Sequence, residues 1–185
     1  PSGAPLAALA ALWVAARIAV LTPFAAAAMW LNAAFPVAVA VAIGVPLVQA
    51  RNRRNYFFVA LLLGIAAAIL VLHLAMRGDS AFPARSGLVI GLDIVLFVIS
   101  VIAGRVVPMF TNNGVPGAQA RRNIWVERAS LGGVLLLLAL DVLRAPAAAI
   151  AAVAAAAALA HGVRLALWDT RRTLGTPLVW VLHAG

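Results

Sequence analysis

Runs of about twenty apolar residues recur along this chain, and the short breaks between them carry most of its charge. A hydrocarbon core of about 30 Å takes roughly 20 apolar residues as α-helix. With 65% of 185 residues hydrophobic and only 10% charged, the chain carries more apolar surface than a soluble core of this size can hide. The runs lack period-two alternation and exceed the length of barrel strands, so helix is preferred over strand. The expected fold class is all-α, a polytopic transmembrane helix bundle. Six full spans are predicted at about 6 to 22, 33 to 50, 56 to 76, 86 to 106, 130 to 145 and 146 to 168, with the start of a seventh from 177. Residues 1–185 read as one integral membrane domain.

Arginine sets the orientation, because it accumulates in cytoplasmic loops. The loop at 51–55 holds three arginines, 107–129 holds Arg121, Arg122 and Arg128, and 169–176 holds Arg171 and Arg172. The alternate loops are poor: 23–32 has no charge, 77–85 has Arg77 and Arg85 against Asp79, and the Asp141 to Pro146 hairpin balances Asp141 with Arg144. Loops 51–55, 107–129 and 169–176 are therefore assigned to the cytoplasm.

The formal charge of +9 comes from 14 arginines and no lysine. In a soluble protein it would suggest nucleic acid. Here the arginines sit between spans, where they contact lipid head groups, and no nucleic-acid partner is expected. Cysteine is absent, which excludes disulfides, thiolate metal sites, iron–sulfur clusters and covalent haem attachment. No His-Glu-x-x-His, nucleophile elbow, Gly-rich phosphate loop or carboxylate pair occurs, so no class of enzyme is indicated.

Within the spans, polar side chains are few and costly. His73, His161 and His183 fall in or at the edge of the third, sixth and seventh spans, and each neutral imidazole could offer a lone pair to a metal. His161 lies about seven residues from the cytoplasmic end of its helix and His183 about six from the start of its own. Both are then expected roughly 10 Å inside one leaflet, where they could share a metal centre. His73, near the opposite end of its helix, is expected to serve a different site or a polar helix contact. Arg17 and Asp93 are expected at similar depth, as an ion pair or as part of a polar path.

The segment Gly104-Arg105-Val106-Val107-Pro108-Met109-Phe110-Thr111-Asn112-Asn113-Gly114-Val115-Pro116-Gly117-Ala118 is polar and turn-forming at the end of the fourth span. Pro108 is expected to end that helix at Val106 or Val107, with turns following at Asn113-Gly114 and Val115-Pro116-Gly117. Met109 supplies a thioether suited to Cu(I), with Thr111 and Asn112 as nearby oxygen donors.

This segment resembles the signature of the NnrS family of polytopic bacterial membrane proteins. Leu12-Trp13-Val14-Ala15-Ala16-Arg17, Arg51-Asn52-Arg53-Arg54-Asn55 and Thr176-Pro177-Leu178-Val179-Trp180-Val181-Leu182-His183 add to the likeness, in an order that fits the family. The resemblance implies haem b, copper, an association with the nitric oxide response and a place in the bacterial inner membrane. It also implies that the chain is an internal fragment of a longer protein. On this reading His161, His183 and His73 are candidate ligands of haem or metal, and Met109 of copper. Arg105 and Arg164 are candidate partners of haem propionates or head groups, and Arg17 completes the candidate cofactor-binding set. Two other readings use the same residues: a secondary transporter with a polar path through Arg17 and Asp93, and a purely structural membrane subunit.

Overall fold

The computed structural model describes residues 3–184, and among them every regular element is helical. The order is α1 (Ala4–Val20), α2 (Ala25–Gln49), a 3-10 turn (Arg53–Asn55), α3 (Phe57–Met76), α4 (Ala84–Gly114), α5 (Ile124–Val142), α6 (Ala147–Leu167), α7 (Thr170–Thr173) and α8 (Pro177–Ala184). The all-α expectation holds. Among the described residues four stretches are long and apolar enough to cross a membrane: Ala25–Gln49, Arg53–Met76, Ala84–Gly114 and Ala147–Leu167. Helix α1 is apolar but shorter, and α5 carries Glu127, Arg128 and Asp141. Large apolar side chains such as Leu21, Phe24, Leu159 and Leu178 stand on the outside, where a soluble protein would not tolerate so many. The chain is a multi-pass membrane protein.

The chain divides into two compact units, residues 1–94 and 95–185. In the first, α2 packs against both α1 and α3. Asn32 ties α2 to α1: its Nδ2 donates to the Ala16 carbonyl at 3.1 Å and to the Ala28 carbonyl at 2.8 Å. Helix α3 meets the first turns of α4 through small residues. A Cβ built on Gly87 would come within 2.7 Å of both the Ala68 carbonyl oxygen and the Leu72 nitrogen, so the two backbones nearly touch there.

In the second unit, α5 and α6 form an antiparallel hairpin that turns at Leu143 to Pro146. Arg144 adopts a left-handed φ of 56°, and Ala145 N closes back on the Leu140 carbonyl at 2.9 Å. Asn123 caps α5, its Oδ1 accepting from Trp125 N at 2.9 Å and Val126 N at 3.4 Å.

Three boundaries differ from expectation, each for a local reason. Helix α4 does not stop before Pro108 but continues to Gly114. The buried side of α4 runs Val101, Gly104, Val107 and Thr111, with Val115 just past its end, a helical stripe unbroken by the proline. The residue four before Pro108, whose carbonyl loses its donor, is the side-chain-free Gly104. Helix α2 begins at Ala25, so most of the expected 23–32 loop is helix, anchored by Asn32. Helix α5 begins at Ile124 rather than 130, because Asn123 caps it and its first-turn carboxylate, Glu127, is neutralised from α6.

Candidate functional site: a polar ladder in the second unit

Pairing of α5 with α6 stacks polar residues in successive layers. Glu127 and Ser130 are buried on α5, and His161, Arg164 and Trp168 follow one another on one face of α6 at helical spacing. Arg164 grips Glu127 with both prongs: Nε donates to Oε1 at 3.0 Å and Nη2 to Oε2 at 2.7 Å. Arg164 is only 2% exposed. Its guanidinium lies over the Trp168 ring at 4.9 Å, and Arg122 approaches Glu127 from the surface at 3.8 Å.

Gly104 of α4 closes this layer. A Cβ there would collide with Arg164 Nη2 and come within 2.9 Å of Glu127 Oε2. The glycine is therefore needed for close approach, not for backbone freedom. One turn deeper, His161 lies against the main chain of Ser130, within the field of Arg164 and Glu127. The next layer is apolar and tight, with the Ala157 Cβ 2.9 Å from where a Gly133 Cβ would stand. In this unit two buried polar atoms, Ser130 Oγ and Trp168 Nε1, have no hydrogen-bond partner among the described residues.

A second polar layer lies beyond the end of α6. His183 on α8 meets Thr111 through Nε2 at 2.9 Å and Thr170 through Nδ1 at 3.0 Å. The Thr170 hydroxyl donates its single proton to the Leu165 carbonyl at 2.8 Å. Thr170 must therefore accept from Nδ1–H. In the neutral ring Nε2 then holds the lone pair, which accepts from the Thr111 hydroxyl. A histidine fixed in this way, one nitrogen donating to an outer partner and the other presenting its lone pair, has the arrangement of a metal-ligating imidazole.

The signature segment builds the wall that presents Thr111. Asn112 clamps the following loop in both directions: its Nδ2 donates to the Ala120 carbonyl at 3.0 Å, and its Oδ1 accepts from Ala120 N at 2.7 Å. The turn expected at Val115-Pro116-Gly117 forms, with Gly117 at φ 74°. Arg172 Nη1 donates to the Gly117 carbonyl at 2.7 Å, Asp169 Oδ2 accepts from Gln119 N at 3.1 Å, and Arg121 N donates to the Leu167 carbonyl at 2.8 Å.

His161 and His183 lie in different polar layers. His161 lies six residues before the end of α6, about 9 Å by helical rise, whereas His183 binds Thr170 beyond that end. Arg164, Trp168 and His183 form a chain of ring and guanidinium contacts, the last at 6.3 Å between ring centroids, and His161 lies at its far end. The other expected residues are dispersed. His73 is in the last turn of α3, in the first unit, and Arg105 is half-buried on α4. Met109 is 51% exposed, on the side of α4 away from Thr111. Arg17 donates to Asn32 Oδ1, so the partner seen for it is an amide on α2, while Asp93 is buried on α4. Among the described residues no group of three or more His, Asp or Glu converges as a ready metal cage.

Glu127, Ser130 and Thr170 were not singled out in the sequence. The available signal was the matching polar stripe, Glu127 and Ser130 on one helix and His161 and Arg164 on the next. Glu127 was hidden because it sits in a run that otherwise reads as an arginine-rich loop.

Fold and site together define a multi-pass helical membrane protein with a buried charged layer and a tautomer-fixed histidine below it. The family model described as NnrS protein matches residues 1–185, and the chain belongs to the NnrS family. No curated protein and no solved structure matches it.

Proposed function

We propose that this chain is a haem- and copper-binding membrane protein serving the nitric oxide response in the bacterial inner membrane, with His183 as its principal ligand side chain. Family membership supports the haem, copper and nitric oxide assignments. The observation that carries the choice of His183 is its hydrogen bonding: Thr170 receives Nδ1–H, and the Nε2 lone pair faces the hydroxyl of Thr111.

The residues fit the groups unequally. His183 would hold a haem iron or a copper ion through Nε2, the nitrogen that now faces Thr111. The assignment of His161 and His183 to separate sites, rather than to one iron, is supported by the contacts of Arg164 and Trp168 that lie between them. His161 belongs to the Arg164–Glu127 layer, and His73 to a separate polar position in the first unit. Met109, half exposed on α4, offers a thioether suited to Cu(I). Arg105 is suited to a propionate or head group; Arg164 is committed to Glu127 and positions the layer instead. A bound haem would supply a redox-active, gas-binding iron; the protein supplies the oriented imidazole and a wall that limits water.

The test is an optical spectrum and metal content of the detergent-purified chain carrying single substitutions. His183→Ala abolishes the haem spectrum while protein level is maintained; His161→Ala shifts the spectrum without removing haem; Met109→Ala lowers copper alone. Haem retained at full occupancy in His183→Ala, or lost only in His73→Ala, rejects the assignment.

A further inference from the structure

Two adjoining cavities open where the Gln119–Arg122 loop meets the end of α6. One, of about 350 Å³, is polar and is lined by Gln119, Arg121, Ala166, Leu167, Asp169 and Arg172. The other, of about 420 Å³, shares Ala166 and Asp169 with it and continues along α6 past Leu165 to Gly162. Nothing lies within 4 Å of a Cβ built on Gly162, so this side of α6 is open.

The charges in the polar cavity are unevenly satisfied. Asp169 is held by Gln119 N and by Arg172 Nε at 3.4 Å, which offsets its repulsion of an anion. Arg121 has a neutral partner, the Gln119 amide oxygen at 3.0 Å from Nη2. The lining carries two arginines against one aspartate, and exposed Arg171 borders the second cavity. Apolar side chains ring the same end of the unit: Trp125 is 70% exposed and stacks on Arg128 at 5.3 Å, and Leu174 and Leu178 also face outward. An aromatic and arginine belt of this kind marks the head-group level of a bilayer.

We propose that the two cavities form one site for an anionic phospholipid. The phosphodiester sits between Arg121 and Arg172, and the glycerol and upper acyl chain follow the open face of α6 along Ala166, Leu165 and Gly162. A polar pocket joined to an apolar groove at the membrane interface matches the two ends of such a lipid. A soluble phosphate would use only the first.

Native mass spectrometry of the detergent-purified chain, titrated with phosphatidylglycerol or phosphatidylcholine, tests the site. One phosphatidylglycerol is retained in preference to phosphatidylcholine. Arg121→Gln lowers its occupancy about fivefold, the equivalent of ~1 kcal/mol for one interfacial arginine. Gly162→Leu fills the groove without changing charge and lowers occupancy as well. Arg54→Gln, in a separate arginine loop, leaves it unchanged, and excess inorganic phosphate does not displace the lipid. Equal retention of the two lipids, equal loss in Arg54→Gln, no effect of Gly162→Leu, or displacement by inorganic phosphate each overturns the proposal.

Discussion

Arg164 and Glu127 meet in a two-pronged ion pair, 3.0 and 2.7 Å, buried between three helices of a membrane protein. Desolvating two charges is expensive, and their attraction offsets that cost only when the geometry is good and both are present. Each side chain is therefore far more damaging to lose alone than together with its partner.

Glu127→Ala or Arg164→Ala is expected to destabilise the second unit by about 3 to 5 kcal/mol, by leaving a buried charge uncompensated. The double variant Glu127→Leu, Arg164→Met should recover most of the loss. Melting temperature in detergent checks both, and additive losses in the double variant would rule out the pair as the source of the effect.

Gly104→Ala places a methyl group against Arg164 Nη2 and Glu127 Oε2, so it should damage the same layer. Gly132→Ala is the contrasting case: no atom lies within 4 Å of its Cβ, and alanine there should stabilise α5 by about 0.5 to 1 kcal/mol. Thermal unfolding of the two variants should move in opposite directions. A neutral Gly104→Ala would mean that α4 does not approach the pair as closely as described.

The helices were legible because an apolar run of twenty residues has few alternatives, and α3 and α6 fall within a residue or two of expectation. The ends were legible only where local chemistry decides them, as at the Val115-Pro116-Gly117 turn. Pro108 misled because local propensity argued for a stop, while the buried stripe from Val101 to Val115 favours continuation. The candidate site was legible in part. His161 and Arg164 share a face by spacing alone, but the partner of Arg164 lies 37 residues away on another helix. His183 was found as a residue but its partners were not, because its surroundings are set by hydrogen bonds to Thr111 and Thr170 rather than by its count along α8.

Arg17 was expected at a depth similar to that of Asp93, and its guanidinium donates to Asn32. That amide also holds two main-chain carbonyls, so one side chain joins α1 to α2 and receives a cation. Asn32→Leu is nearly isosteric and removes all three hydrogen bonds at once. It should lower the yield of folded protein more than Arg17→Gln, which removes the guanidinium bond and leaves both main-chain bonds of Asn32 in place. A larger loss for Arg17→Gln would show that the charge, and not the amide junction, dominates this region.

The final prediction concerns sidedness. Helix α4 has 31 residues, about 46 Å by helical rise, which exceeds the roughly 30 Å hydrocarbon core. Ala81 and Ala118, just beyond its two ends, therefore lie outside the hydrocarbon on opposite sides. The native chain has no cysteine, so Ala81→Cys and Ala118→Cys give single reporters without background. Arginine-rich loops at 51–55 and 169–176 predict that the Ala118 end is cytoplasmic. An impermeant thiol reagent applied to intact cells should label Ala81→Cys and leave Ala118→Cys unlabelled until the cells are opened. The reverse pattern would invert the chain, and the anionic-lipid pocket beside Arg121 would then face the opposite leaflet.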